Sequence, residues 1–191
     1  IEQEPKGTGE DDYAFLFINK SLIEGKDLPF LFPFGELNFN FGDLPENLSA
    51  LIASYPAGFL GGISVQKELG LLSTFAPVKA LYTFSEYEPA NLDIFSLGGN
   101  IASQAGSSGG GVFDTRNGKL LGIIATSDEG TTTASKILNA ITIPHINRSF
   151  KKYTGKNLAD FLNSPESFPD LFSETEFNRL KNLLIEQLKK L

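Results

Sequence analysis

Gly106-Ser107-Ser108-Gly109-Gly110-Gly111-Val112-Phe113-Asp114 is the stretch on which the reading of this chain turns. Two serines stand among four glycines. Glycine reaches backbone angles closed to other residues and lets a ligand approach the main chain closely. A serine in such a run can sit on a tight, exposed bend. Successive N–H groups at that bend can converge on one point and form an anion-binding nest. Acyl transfer needs a nest of this kind, because a tetrahedral oxyanion develops there. Taken alone, the run also reads as a flexible Gly/Ser linker. Its surroundings speak against a linker. The run leads without slack into a strand at Val112–Phe113, a turn at Arg116-Asn117-Gly118 and a second strand at Leu120–Thr126. Asn-Gly accepts the positive φ angles of a tight hairpin turn.

Working outward, short apolar runs separated by Pro and Gly predict further strands. They lie at Tyr13–Ile18, Leu51–Tyr55, Gly62–Leu72, Lys79–Ser85 and Leu92–Leu97. Such spacing is the mark of an all-β body. After Ile143-Pro144 the periodicity changes, and from Phe168 onward it is helical. Ser173 and Glu176 form a capping box. Phe177, Leu180, Leu184, Leu188 and Leu191 then make one apolar stripe. The boundary predicted is an all-β body to about residue 143, followed by a helical tail.

Composition narrows the function. The 191 residues are 41% hydrophobic with 17 Phe, ample for a packed core. The net charge of −7 and the scattered basic residues give no face for nucleic acid. There is no cysteine, which excludes a disulfide framework and a Cys-based zinc site. No run of 18 apolar residues offers a membrane span.

The serine run and the strand-turn-strand behind it resemble the Gly-x-Ser-Gly-Gly-Pro nucleophile motif of trypsin-like serine proteases. Gly111 replaces the usual Pro. Ser107 replaces the Asp of zymogen-activated digestive enzymes, which places the chain nearer the cysteine-free bacterial members, including the high-temperature-requirement proteases. Three further pieces agree in order. Asp12-Tyr13-Ala14-Phe15-Leu16 resembles the strand that carries the triad aspartate. Ser54-Tyr55-Pro56-Ala57-Gly58 resembles a turn of the second barrel. Ile143-Pro144-His145-Ile146-Asn147 resembles the junction of the last strand with the terminal helix. The interval from Asp12 to Ser108 is close to the roughly 90 residues that separate these roles in the chymotrypsin template.

The resemblance implies a mainly β, chymotrypsin-like double β-barrel with a C-terminal α-helix. Residues 1–40 would be a remnant of the first barrel and the interbarrel linker, 41–143 a complete second barrel, and 144–191 the helical tail. It implies a serine endopeptidase acting through an acyl-enzyme on Ser108. The N–H groups of Gly106 and Ser108 would form the oxyanion hole, and Asp12 would orient the histidine. Ala102 would lie at the base of the substrate pocket, and Ala125, Thr126 and Ser127 would form its wall. No metal or cofactor is called for, and the partner is a peptide or protein substrate.

One part of the pattern is missing. The triad histidine should precede Asp12 by some tens of residues, yet the sole histidine is His145. The expectation is a His-bearing segment upstream, outside these 191 residues, with an N-terminal fragment of the same protein as a further candidate partner. On this reading the 191 residues alone are inactive, because serine without its base is a poor nucleophile. The alternative is a catalytically inactive homologue that binds extended peptides or a protein partner. For His145 itself the expectation is a partly buried, hydrogen-bonded or exposed histidine without a catalytic role.

Overall fold

A computed structural model of the chain describes residues 9–16, 18, 21–30, 32–40, 47–56, 70–127 and 136–163, with 178, 179, 181–183, 185, 186 and 189 beyond them. Six strands close into an antiparallel barrel. They are β1 (Ser49–Ser54), β2 (Leu72–Tyr82), β3 (Ile94–Leu97), β4 (Gly111–Asp114), β5 (Leu120–Ser127) and β6 (Leu138–Thr142). The order around the barrel is β1-β2-β3-β6-β5-β4, with β4 returning to pair with β1. Closure leaves no free sheet edge along the paired segments. Two helices follow, α1 (Ile143–Thr154) and α2 (Leu158–Leu162).

Alternation along the strands builds the core. Ala50 and Ile52 of β1, Val112 of β4, Leu121 and Ile124 of β5, and Leu138 and Ala140 of β6 point inward around Phe95 and Leu97 of β3. Gly122 is required where β5 meets β6, since a Cβ there would stand 2.4 Å from the Ile141 carbonyl oxygen. β2 runs continuously from Leu72 to Tyr82, through the stretch 73–78 that the sequence pattern leaves unassigned. Pro77 lies where β2 passes from β1 to β3, pairing with Ser49 on one side while Val78 opens the register with Leu97 on the other. A proline cannot donate to the ladder and is confined to such places. The masking of periodicity by Pro77 explains why Lys79 looks like a strand start.

The β4–β5 hairpin forms where Arg116-Asn117-Gly118 predicts it, but only Gly118 has a positive φ, of 72°. The connection is thus longer than a two-residue turn. Gly118 N–H closes onto the Asp114 carbonyl at 2.7 Å, and Asn117 Oδ1 accepts the Lys119 N–H at 2.9 Å.

The helix begins directly at the end of β6. Thr142 caps α1 by accepting the His145 N–H at 3.1 Å, Pro144 occupies the first turn, and Gly155 ends the helix with φ 72°. These are the usual start and stop signals. Ile143, Ile146 and Phe150 of α1 form a second cluster with Ile141, Leu158 and Phe161, packed on the outside of the barrel. Tyr13 and Phe15 join this cluster. Residues 12–16 belong to no sheet. Burial alternates along them, with Tyr13 and Phe15 half-buried and Asp12, Ala14 and Leu16 exposed. The described residues of Tyr13–Ile18 therefore do not form the buried strand that the sequence suggests. Residues 178–179, 181–183 and 185–186 are helical. Ser173, Glu176, Phe177, Leu180, Leu184, Leu188, Leu191 and most of Gly62–Leu72 lie outside the described residues, as do Ala57 and Gly58.

Candidate active site

The loop from Gly98 to Gly110 runs between β3 and β4 and is stitched to itself. Ser103 N–H donates to Asn100 O at 3.0 Å, Gln104 N–H to Ala102 O at 2.8 Å, and Gly110 N–H to Ser107 O at 3.0 Å. The loop is also pinned to β5. Gly109 N–H donates to Ile124 O and Ile124 N–H to Gly110 O, both at 2.8 Å. Gly106 and Gly109 have φ of 89° and 83°, so a left-handed glycine stands on each side of the serine pair. The two serines then part. Ser107 is 1% exposed and donates its hydroxyl to Ala102 O at 2.6 Å, while Ser54 Oγ lies 3.4 Å from Ser107 Oγ. Ser108 is exposed. The loop is therefore an ordered bend and not a linker.

The peptide plane between the serines has a definite orientation. Ser107 O faces the Gly110 N–H, and in a trans peptide the N–H points opposite to the carbonyl. The Ser108 N–H is therefore turned away from the loop interior. Among the described residues, neither the Gly106 nor the Ser108 N–H meets an acceptor. Gly110 makes this close weave possible, because a Cβ there would stand 2.6 Å from Ser54 Cβ and 2.9 Å from both Ala53 O and Ser107 O.

Ser108 Oγ donates to the Ala125 carbonyl at 3.3 Å. The Ala125 side chain itself packs toward the α1 cluster. Beyond Ile123, β4 no longer pairs with β5, so no strand covers that side of Ala125–Ser127 among the described residues. Thr126 is exposed and its hydroxyl is 3.4 Å from Asn139 Nδ2. Ser127 pairs with Leu138 through its strand register. Ala102 is wholly buried in the barrel core, where its carbonyl holds Ser107 and its N–H donates to Asn100 Oδ1 at 2.9 Å. Its position supports the loop rather than an open surface.

Asp12 is exposed, and among the described residues its side chain bonds to nothing. No contact joins it to Ser108. Its neighbours are engaged instead. Asp11 accepts from Tyr153 OH at 2.8 Å and from Ser149 Oγ, and Glu10 offers its carbonyl to His145 at 2.8 Å.

His145 is hydrogen-bonded through both ring nitrogens, to Asp93 Oδ1 at 2.9 Å and to Glu10 O, and neither partner is Ser108. Asp93 is the hub that the sequence reading missed. Its side chain is 5% exposed and accepts from the Phe84 N–H at 2.8 Å, Thr83 Oγ1 at 2.9 Å, His145 and the Arg148 guanidinium. Burial works against the charged form, but the Phe84 N–H, His145, Arg148 and Thr83 outweigh it and hold the carboxyl below its ordinary range. Asp114, fully buried, is held low chiefly by the Arg116 side chain, which reaches Oδ2 at 2.7 Å. Burial pushes the Tyr13 phenol up, eased by its bond to Ser149 and reinforced by the nearby Asp11. A lone acid within the apolar run Leu92–Leu97 was the local signal for Asp93; its partners carried none.

No family model matches the chain. No curated protein matches it either. Among solved structures it is similar to an HtrA-type protease with a decapeptide, at 18% identity and a TM-score of 0.44. The match covers 69% of this chain and 36% of that one, so the chain spans about a third of that structure's length.

Proposed function

We propose that this chain carries the nucleophile half of a chymotrypsin-like serine endopeptidase, with Ser108 as the nucleophile. The observation that carries the reading is the Ser108 bend. An exposed hydroxyl stands on an ordered loop between two left-handed glycines, beside two N–H groups that meet no acceptor among the described residues. Ser108 Oγ would attack the scissile carbonyl carbon and lose its proton to an imidazole. The oxyanion would sit on the Gly106 and Ser108 N–H groups. The C–N bond would then break as the imidazole protonates the leaving amine, and water would release the acyl group by the same steps. The uncovered side of Ala125–Ser127 suits an extended substrate backbone, which adds as a strand. Asp12 would orient the imidazole, which is supplied from outside these 191 residues, because both His145 nitrogens are taken.

The alternative is an inactive homologue that holds extended peptides in the same place. The Ser108 bond to the Ala125 carbonyl favours it, since a carbonyl cannot serve as the base. Digestion of an unstructured polypeptide by the protein purified from its source separates the two. Cleavage that disappears in Ser108→Ala supports the enzyme. Peptide binding without cleavage in both forms supports the inactive homologue.

A further inference from the structure

His145 lies in the first turn of α1, with its ring tilted against Phe84 at 4.9 Å between centroids. Both of its nitrogens face groups that only accept. Asp93 already takes the Phe84 N–H, the Thr83 hydroxyl and the Arg148 guanidinium, and is therefore ionised. The Glu10 carbonyl has no proton to give. A neutral imidazole has one N–H, so the two bonds coexist only when the ring carries both protons. When one proton leaves, the Asp93 carboxylate retains the proton on Nδ1. The bare Nε2 then faces the Glu10 carbonyl, acceptor against acceptor.

Glu10 stands two residues before Asp12, and the chain between and beyond is fastened to the same helix. Asp11 is held by Ser149 and Tyr153, and the Tyr13 phenol donates to Ser149 Oγ at 2.7 Å. Phe15 meets Phe150 and Phe161 edge-on, at 5.4 and 6.2 Å. Asp12 belongs to the opposite, exposed face.

We propose that doubly protonated His145 is the clasp that holds residues 10–15 on α1 and so sets where the Asp12 carboxylate stands. It is a positioning residue and touches neither Ser108 nor substrate. The part concerning Asp12 rests on the triad role proposed above. The charged groups around the ring line a cleft of about 220 Å³. They are Glu10 and Asp11 from the N-terminal segment, Glu88 and Asp93 from the β2–β3 connection, and Arg148 and Lys152 from α1. The clasp is complete while the ring holds both protons and weakens as rising pH removes one.

The single histidine makes the test clean. The 191-residue chain, labelled with ¹⁵N, is titrated from about pH 5 to about pH 9, across the range where histidines change charge. The expected result is a ring protonated on both nitrogens at the acid end. Its Nε2 signal then loses the proton with the same midpoint at which the Asp12 and Tyr13 amide signals move. In His145→Gln those amides no longer titrate. Amides that stay still while the ring titrates, or that titrate equally in His145→Gln, overturn the clasp. If the variant does not fold, the unmodified chain still decides. In the protein purified from its source, fluorophosphonate labelling of Ser108 should fall at the same midpoint, by up to about 100-fold, the effect of a misplacement of about 1 Å. An alkaline fall unchanged in His145→Gln overturns the positioning role and leaves the nucleophile reading standing. No labelling at any pH overturns the nucleophile reading, while the ring titration still judges the clasp.

Discussion

The Ser108 hydroxyl donates its hydrogen bond to the Ala125 carbonyl, 3.3 Å away on β5, and not to an imidazole. A carbonyl orients a hydroxyl but cannot carry its proton away. The 191-residue chain alone is therefore expected to hydrolyse peptides about 10⁶-fold more slowly than a form supplied with its imidazole. That is the scale of loss when the base of a triad is removed. A progress curve with a chromogenic peptide substrate checks this. Turnover by the isolated chain at ordinary protease rates would show that another group acts as base.

Ser107 is the inward partner of this pair. Ser107→Ala removes a 2.6 Å bond to Ala102 O and leaves the buried Ser54 hydroxyl without its partner. A loss of about 1–2 kcal/mol in urea unfolding is expected. Amide exchange at Gly110, whose N–H bonds Ser107 O, should quicken in the same variant. An unchanged midpoint with unchanged Gly110 exchange would mean that the serine relay does not brace the loop.

Two glycines of the loop should fail in different ways. At Gly110 a Cβ meets Ser54 Cβ at 2.6 Å and two backbone oxygens at 2.9 Å, so Gly110→Ala forces the strand and loop apart. The expected cost is about 2–3 kcal/mol. At Gly109 the space is open but φ is 83°, so Gly109→Ala carries backbone strain alone, about 1–2 kcal/mol. Thermal unfolding of both variants checks the order, and a larger loss at Gly109 would contradict it.

Asp93 and Asp114 predict the response to acid. Both carboxyls are held below their ordinary range in the folded chain. Their contribution is full above the pKa of an unfolded aspartate and is lost as pH falls through the lower folded value. Urea midpoints should therefore drop between about pH 5 and about pH 2, and less steeply in Asp93→Asn. Asp93→Ala at neutral pH should cost about 3 kcal/mol, because it removes the buried acceptor shared by Thr83, Phe84, His145 and Arg148.

Much of the barrel could be read in the chain. The strand, turn and strand after Gly111 stand where alternation and Asn117-Gly118 put them, and β6 gives way to helix at Ile143-Pro144. Where local patterns misled, a tertiary contact was the reason. Pro77 splits the pattern of β2 because it sits at the change of partners, a fact of sheet order and not of sequence. Tyr13–Ile18 has the composition of a buried strand, yet among its described residues Tyr13 and Phe15 alone find cover, from Ser149, Phe150 and Phe161. The exposed placing of Ser108 follows from its glycines. The Asp93–His145–Glu10 link does not, because it joins three segments far apart in the chain. No local spacing encodes it.

The central claim is that Ser108 is an activated nucleophile in the protein to which these residues belong. The most direct measurement is fluorophosphonate labelling of the protein purified from its source, with the modified residue located in the tryptic peptide 80–116 by mass spectrometry. One adduct is expected, on Ser108, absent after denaturation and in Ser108→Ala. An adduct elsewhere, or none under native conditions, would contradict it.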